Sequence, residues 1–123
     1  MEKSKRVKTK IDFQKVIASK KKIISKNFIL YSLKREEYDY PRFGFSASKK
    51  LGHAVVRVKV RRQVRAMVRE ILKNNTLLAK DYIIIVRNSF LQHTYQENLD
   101  ELILLFKKAE EQTKWNYQQN GKI

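Results

Sequence analysis

Apolar residues recur at steps of three and four along residues 55–73, a stretch that contains neither proline nor glycine. This is the period of an α-helix with one buried stripe. The stripe consists of Val56, Val60, Val64, Met67, Val68 and Ile71, and the opposite side of the helical wheel carries Arg57, Arg61, Arg62, Arg65, Arg69 and Lys73. The pattern predicts a long helix that is half core and half cationic surface.

The cationic side of this helix contains an unbroken i,i+4 row of like charges. The row is Arg57, Arg61, Arg65, Arg69 and Lys73, with Glu70 as the one acidic neighbour. Each like-charge pair costs about 0.2–0.5 kcal/mol in an isolated helix, so the four pairs oppose helix formation by roughly 1–2 kcal/mol. A solvated surface helix without a partner is one interpretation. We favour a polyanionic partner, which attracts all five side chains.

The remaining hydrophobic pattern predicts shorter elements. They are a helix over residues 9–19, strands over residues 27–33, 42–48 and 81–87, and a helix that starts at a capping box over residues 94–97. Residues 34–41 are predicted to form a hairpin connection, and residues 81–87 a central strand buried on both faces. The order α-β-β-α-β-α predicts an α+β fold, a two-layer α/β sandwich with the helices packed on one face of a small mixed sheet.

The strand over residues 42–48 alternates between apolar and small polar side chains. Phe43, Phe45 and Ala47 face one way, and Arg42, Gly44, Ser46 and Ser48 face the other. The polar side either faces solvent or forms the floor of a site for a strand of nucleic acid. Tyr31 could supply an aromatic wall, and Phe13 and Ile17 either belong to the core or line a groove.

The charge of +16 is concentrated in two blocks. Residues 1–26 carry ten lysines and arginines against two carboxylates, and residues 42–73 carry ten against one. Such blocks indicate nucleic acid or an anionic membrane. The membrane interpretation is weaker, because the long helix has a valine-rich stripe suited to a core and lacks Trp or Phe anchors. At 123 residues the chain is one domain, 1–123, and residues 1–8 and 111–123 are expected to be mobile.

Several kinds of chemistry find no support in the sequence. The chain has no cysteine and only three glycines, and neither His53 nor His93 has a recognisable nucleophile and acid around it. We therefore expect no catalytic residue and no metal site in the protein itself. No segment approaches the ~18 apolar residues of a membrane span, so we expect a cytoplasmic protein.

Residues 49–65, KKLGHAVVRVKVRRQVR, resemble the signature helix of the bacterial ribonuclease P protein subunit. Residues 12–16, 28–31, 42–48 and 81–87 resemble the other landmarks of that family, in the same order. The resemblance runs from about residue 6 to residue 106. It implies a cofactor protein, monomeric in the holoenzyme, for a catalytic RNA that uses Mg²⁺ to remove the 5′ leader of precursor tRNA. It also implies a left-handed βαβ crossover and the fold of a domain found in a small-subunit ribosomal protein.

The resemblance assigns two groups of RNA-binding residues. Positions that contact the catalytic RNA are matched by Arg57, Lys59, Arg61, Arg62 and Arg65, to which the charge pattern adds Arg69. Cleft positions that hold the single-stranded leader are matched by Phe13, Ile17 and Tyr31, with Lys49, Lys50 and Arg87 at its phosphates and the hydroxyls of Ser46 and Ser48 on its floor.

The sequence departs from the family pattern in three places. The Arg-Asn-Arg of the signature is Arg57-Val58-Lys59, so one hydrogen-bonding side chain and one bidentate fork are lost. The usual glycine-asparagine pair is Gly52-His53. A commonly aromatic cleft position is Ile17, which packs against a base but stacks poorly.

Two other functions fit the basic character of the chain. A structural rRNA-binding protein of the ribosome would share the charge and the fold class but would need no leader cleft. A DNA-binding protein that places the long helix in the major groove is disfavoured, because the helix has no helix-turn-helix partner.

Overall fold

A computed structural model of the chain describes residues 5–7 and 9–121, with side chains as far as Glu110. The elements are α1 (Lys10–Ala18), β1 (Lys22–Ile24), β2 (Phe28–Lys34), β3 (Arg42–Ala47), α2 (Ala54–Asn74), β4 (Lys80–Val86) and α3 (Tyr95–Gly121). Short 3-10 helices, Lys49–Leu51 and Asn88–Gln92, follow β3 and β4. Every helix and strand predicted from the sequence is present, and β1 is an addition.

The four strands form one mixed sheet in the order β1-β2-β4-β3. β4 pairs antiparallel with β2 and parallel with β3. The prediction that residues 34–41 close a hairpin is therefore wrong, because β4 lies between the two strands that this segment connects. β4 carries apolar side chains on both faces, and an inner position in the sheet buries both of them. The left-handed crossover through α2 stays a prediction from the resemblance.

β1 is a three-residue edge strand that the hydrophobic pattern does not reveal. Its residues pair with β2, Lys22 opposite Tyr31 and Ile24 opposite Ile29. The lysine run before it ends α1 as predicted, and Lys20 adopts the left-handed conformation (φ 60°) that is common after a helix. The run then continues into the sheet, where an edge position keeps lysine side chains in solvent.

The three helices do not share one face of the sheet. The main core lies between the sheet and helices α2 and α3, and a smaller cluster of Val7, Val16 and Ile83 lies against the opposite face. α1 packs there on β2 and β4. The predicted placement of all helices on one face is therefore wrong for α1. The odd-numbered residues of β4 are as apolar as the even-numbered ones, so the second face also needs a cover.

The main core combines the helical stripes with a cluster of rings. Val60, Val64, Met67, Val68 and Ile71 of the predicted α2 stripe are all buried, and Val56 packs against their cluster. Tyr82 of β4 stacks on Phe43 of β3 with ring centroids 5.5 Å apart, and Phe106 of α3 meets Tyr82 edge-on at 5.3 Å. The core therefore fixes α2 with its apolar stripe against the sheet.

Part of the basic N-terminal lead is attached to the sheet. Arg6 forms a parallel bridge with Phe43, the Val7 N–H donates to the Phe43 carbonyl at 2.9 Å, and the Val7 side chain is buried. The lead is therefore docked at residues 6 and 7, because an apolar valine follows the run of charge. Residues 1–4, 8, 122 and 123 of the segments expected to be mobile lie outside the described residues.

Both predicted capping boxes form the expected first turns, and they differ in strength. Thr9 Oγ1 accepts from the Asp12 N–H at 3.0 Å. Thr94 and Glu97 satisfy each other in both directions, at 2.9 and 3.2 Å. The hydrogen bond from the Thr94 N–H lowers the pKa of the Glu97 carboxyl. This cap therefore stabilises α3 above the ordinary carboxyl pKa and is lost as the pH falls through the lowered value.

α3 extends to Gly121 and so continues through residues 111–121, where the apolar periodicity ends. The segment contains no proline, and extending an existing helix costs far less than nucleating a new one. The mobility expected for this tail stays a prediction.

Arg42 and Asp81 form a buried ion pair between β3 and β4. The guanidinium donates from Nε and Nη2 to the two carboxylate oxygens at 2.8 and 2.7 Å, and the Tyr38 ring lies 4.2 Å from the guanidinium carbon. The hydrogen bonds to Asp81 raise the pKa of Arg42. Arg42 is therefore not part of an open polar face, because the parallel register sets it directly opposite Asp81.

Replacing Arg42 with methionine should destabilise the protein by about 3–5 kcal/mol, because the Asp81 charge would remain buried with only its 3.7 Å contact to Arg35. Urea unfolding measures this loss. The matched control is Arg62→Met, at an exposed arginine of α2, which should change the free energy of unfolding by less than about 0.5 kcal/mol. Equal losses in the two variants would contradict the assignment.

Candidate nucleic-acid interface

The cationic side of α2 is exposed to different degrees along the helix. Lys59, Arg62 and Arg69 are exposed, whereas Arg57, Arg61 and Arg65 are partly buried. Within the described part of the chain, the ion pairs involve Arg35 and Arg42 and none of the α2 cations. The predicted row is thus present as a positive surface that the protein's own described carboxylates do not neutralise.

Two arginines of this row lie against the protein without polar partners. Among the described residues, the Nε atoms of Arg57 and Arg65 are buried and have no hydrogen-bond acceptor. The Arg65 guanidinium carbon lies 5.5 Å from the centroid of the Phe45 ring on β3, a cation–π contact. Burial and then the charges of neighbouring arginines lower the pKa of Arg65. The helix therefore carries mutual repulsion that an external anion would relieve.

The opposite face of the sheet is half covered by α1. Phe13, Ile17 and Tyr31 all pack against the Val16–Ile83 cluster and remain partly exposed. The structure thus brings together the three cleft residues predicted from α1 and β2. They lie along the boundary where α1 ends its cover of the sheet.

The uncovered half of this face continues from the boundary across three strands. Ser46 of β3 pairs with Ile85 of β4, which pairs in turn with Ile29 of β2. All three side chains are only partly buried, and Ile24 of β1, opposite Ile29, is 55% exposed. The floor of the cleft is therefore apolar with one hydroxyl, that of Ser46, whereas Ser48 lies beyond the end of β3. The role of both serines in leader binding stays a prediction.

The other small residue of the predicted open face lies under α1. A Cβ atom on Gly44 would lie 3.3 Å from Cε2 of Phe13 and 3.4 Å from Cβ of Val7. Gly44 is therefore buried, and the Phe13 ring packs against it. The alternating pattern did not reveal this contact, because the residue that covers Gly44 lies on a helix about thirty positions earlier in the sequence.

The carboxyl ends of the two parallel strands place the remaining predicted residues side by side. Ala47 of β3 pairs with Val86 of β4. Ser48, Lys49 and Lys50 follow the first strand and Arg87 follows the second, and all four are exposed. The 3-10 helices after the two strands also contact each other. This edge therefore gathers three cations next to the uncovered half of the sheet.

A polar network on α3 and the β1–β2 turn holds Arg87 in place. Arg87 Nη1 donates to the Ser25 carbonyl and the Arg87 N–H to the Asn27 carbonyl, both at 2.9 Å. The Glu101 carboxylate accepts from the Ser25 hydroxyl and from the Asn27 N–H, and buried Asn98 accepts from the Asn27 side chain at 2.7 Å. Sequence analysis missed this network, although a polar Asn98 beside the apolar stripe of α3 signals a buried partner.

Lys22 is a further cation at the cleft that sequence analysis missed. It lies opposite Tyr31 in the β1–β2 pairing, and its Nζ atom is 5.8 Å from the centroid of the Tyr31 ring. The signal was the lysine run before β2, which could be assigned to the cleft only once β1 was known to extend the sheet.

The described residues contain no group of three or more His, Asp or Glu side chains that could hold a metal ion. His53 precedes the first residue of α2 without capping it through its side chain, and His93 Nδ1 lies 2.8 Å from the Ser89 carbonyl oxygen. Along the described chain, no helix is long and apolar enough to cross a membrane.

Replacing Arg61 with glutamine should stabilise the free protein at low ionic strength. The change removes two like-charge i,i+4 pairs, with Arg57 and Arg65, worth about 0.4–1 kcal/mol together. At about 1 M salt the screening length falls to about 3 Å, and the gain should vanish. Urea unfolding at the two salt concentrations measures it.

The control for this variant is Lys108→Gln on α3, because position 108 has no lysine or arginine four residues away on either side. A gain in the control as large as that of Arg61→Gln would mean that overall net charge, rather than repulsion within the row, causes the effect.

Comparisons with known proteins identify the family and the fold of this chain. The Ribonuclease P family model matches residues 1–110. A ribonuclease P protein component from Bacillus cereus is 38% identical over 109 residues, which cover 89% of this chain and 94% of that protein. A mutant of the Staphylococcus aureus RNase P protein superposes with a TM-score of 0.81 at 34% identity, covering 89% of this chain and 92% of that one. The RNase P protein from Thermotoga maritima superposes with a TM-score of 0.74 at 25% identity, covering 84% and 96%. The chain therefore belongs to the family of ribonuclease P protein components.

Proposed function

We propose that this chain is the non-catalytic protein subunit of ribonuclease P, which binds the catalytic RNA through α2 and the 5′ leader of precursor tRNA through the cleft beside α1. The observation that carries the proposal is the row of α2 cations, which none of the described carboxylates neutralises. Hydrolysis of the phosphodiester bond is assigned to the RNA. The subunit contributes binding energy and the position of the substrate.

The α2 surface suits a folded RNA backbone. Phosphates that approach Arg57, Arg61 and Arg65 replace like-charge repulsion with attraction and release condensed counterions. The two guanidinium groups that pack against the protein are held in defined positions, which favours paired hydrogen bonds to phosphate oxygens. We assign Arg57, Lys59, Arg61, Arg62, Arg65 and Arg69 to the contact with the ribonuclease P RNA.

The cleft suits a single strand whose bases are unpaired. Phe13 and Tyr31 offer rings on which bases stack, and every base has a face that can stack, so such a site tolerates any sequence. Ile17 adds apolar contact and Ser46 a hydroxyl. Ser48, Lys49, Lys50 and Arg87 at the strand ends, together with Lys22, are placed to meet phosphates. The mostly apolar floor limits base-specific hydrogen bonding, as a leader of variable sequence requires.

Mg²⁺ does not fit a site made by the protein alone. This ion prefers several oxygen ligands in octahedral geometry, and the described acidic side chains do not cluster around a common point. We assign the Mg²⁺ ions of the reaction to the RNA subunit. We also propose that the subunit is monomeric in the holoenzyme and acts in the cytoplasm, where precursor tRNA is made.

The family relationship supports this function over that of a structural rRNA-binding protein, because the relatives are ribonuclease P protein components. A cleft with partly exposed rings at the edge of the sheet also fits a leader-binding subunit, whereas a purely structural RNA clamp would need only the cationic surface.

The chain should restore 5′ cleavage of precursor tRNA by the ribonuclease P RNA of Bacillus cereus at a low Mg²⁺ concentration, where that RNA alone is slow. Polyacrylamide gels of the cleavage products measure the rate. The control is a variant with Arg57, Arg61 and Arg65 all changed to glutamine, which should not stimulate cleavage. Absence of stimulation by the unchanged chain would refute the proposed function.

Substitutions in the two surfaces should have separable effects. Phe13→Ala or Tyr31→Ala should weaken binding of precursor tRNA relative to mature tRNA by about tenfold, the value of one lost stacking contact. Arg61→Ala or Arg65→Ala should instead weaken assembly with the RNA and reduce the slope of log K against log salt by about 0.9 each. Filter binding over a salt series measures both quantities. Each pair serves as the control for the other, and equal effects from both pairs would exclude this division of roles.

A further inference from the structure

Two arginines and two aspartates meet where α1 crosses the sheet. Arg42 and Arg35 both contact Asp81 of β4, Arg42 at 2.7 Å and Arg35 Nη1 at 3.7 Å from Oδ2. The same guanidinium groups face Asp12 of α1, with Arg35 Nη1 3.7 Å from Oδ1 and Arg42 Nη2 3.7 Å from Oδ2. The four charges balance, and they connect α1 to β3, β4 and the segment after β2.

From this geometry we propose that Asp12 is a positioning residue for leader binding, and that it sets the place of the adjacent Phe13 at the cleft without touching the RNA. The inference rests on the proposed function, because it assigns Phe13 to the leader. It names a specificity-determining contact that lies outside the cleft itself.

The two arginines form a fixed base for Asp12. Arg42 is held by its bidentate pair with Asp81 and by the Tyr38 ring. Arg35 is held by a 2.8 Å hydrogen bond to Glu37. Neither guanidinium group therefore depends on Asp12 for its position. The position of Asp12, and with it that of α1, instead depends on these two guanidinium groups.

α1 needs this second attachment point because its apolar contact is small. Val16 is the one residue of α1 that is fully buried, and Phe13 and Ile17 pack beside it only partly buried, so the apolar contact alone leaves this nine-residue helix some freedom to pivot about Val16. Asp12 lies one turn before Val16 on the helix, so the pair of contacts defines the direction of the helix axis. Phe13 lies between them along the chain and moves with that axis.

The Phe13 ring has little room to move where it packs against Gly44. The Phe13 ring lies so close to Gly44 that a single added carbon there would come within 3.3 Å of it. A small rotation of α1 would therefore either press the ring into the strand or move it away from Gly44. Both outcomes alter the edge of the cleft on which a base would stack.

The test compares Asp12→Asn with Asp12→Glu in the holoenzyme reconstituted with Bacillus cereus ribonuclease P RNA. Affinity is measured for a precursor tRNA with a long leader and for one with the leader shortened to a single nucleotide. The Asp12 contacts are partly exposed and 3.7 Å long, which limits their strength. Asp12→Asn should lower the affinity ratio between long and short leader by about two- to fivefold, and Asp12→Glu should restore at least part of it.

The matched control is Glu37→Gln, which removes a carboxylate charge beside the same Arg35 while its side-chain oxygen can still accept the Arg35 hydrogen bond. This variant should leave the affinity ratio unchanged. Assembly of the subunit with the RNA alone, and the affinity for the single-nucleotide leader, should be the same in all three variants. A thermal melt of each free protein identifies any variant that fails to fold.

Any of three results from correctly folded variants would overturn the proposal. They are an unchanged affinity ratio in Asp12→Asn, an equal fall for the short leader, and an equal effect of Glu37→Gln. A misfolded Asp12→Asn protein would assign Asp12 to general stability and would likewise overturn it. Phe13→Ala separates this inference from the proposed function. If Phe13→Ala lowers the ratio and Asp12→Asn does not, the leader cleft stands and the positioning role fails, whereas no effect of Phe13→Ala removes the cleft as well.

Discussion

Burial of the apolar stripe of α2 outweighs the repulsion among the cations on its other side. Five side chains of this stripe are at most 3% exposed, namely Val60, Val64, Met67, Val68 and Ile71. Each such side chain contributes about 1.5–3 kcal/mol on burial. The like-charge row opposes the helix by only about 1–2 kcal/mol. The helix therefore does not need RNA in order to form. Its charges stay in an array before RNA arrives, which reduces the ordering cost of assembly.

β4 separates the two candidate binding surfaces, the cationic side of α2 and the cleft beside α1. Its even-numbered side chains face the core with α2 and α3, and its odd-numbered side chains face α1 and the cleft. The α2 cations and the cleft rings thus lie on opposite sides of one sheet. β3 links the two sides, because Phe45 contacts Arg65 on one side of this strand while Gly44 contacts Phe13 on the other.

The local sequence pattern predicted the helices and strands well. It could not predict the strand order or the contacts between residues distant in the sequence. Periodicity and cap chemistry involve residues that are close together in the sequence. They are enough to predict the bounds of α2, both capping boxes and the burial of β4. The position of β4 between β2 and β3 does not follow from them, because strand order is decided by which strands need burial on both faces. The same reason hid the ion pair of Arg42 with Asp81, whose partners are 39 residues apart. For the candidate site, the cation row needed only the helical period, whereas Lys22, Gly44 and the Arg87 network required the folded sheet.

The departures from the family signature keep the positive charge at the start of α2 but remove hydrogen-bond donors there. Val58 is 38% exposed and Val55 81% exposed, so the first two turns present methyl groups between Arg57, Lys59 and Arg62. Valine donates no hydrogen bond, and lysine acts as a point charge rather than a planar fork. Attraction to phosphate therefore remains while directional contacts are fewer. Counterion release makes the electrostatic part of the affinity the part that salt weakens. Because the hydrogen-bonded part is reduced here, assembly of this subunit with its RNA should lose a larger fraction of its binding free energy as salt rises than in a relative with the full Arg-Asn-Arg signature, and filter binding over a salt series measures that fraction.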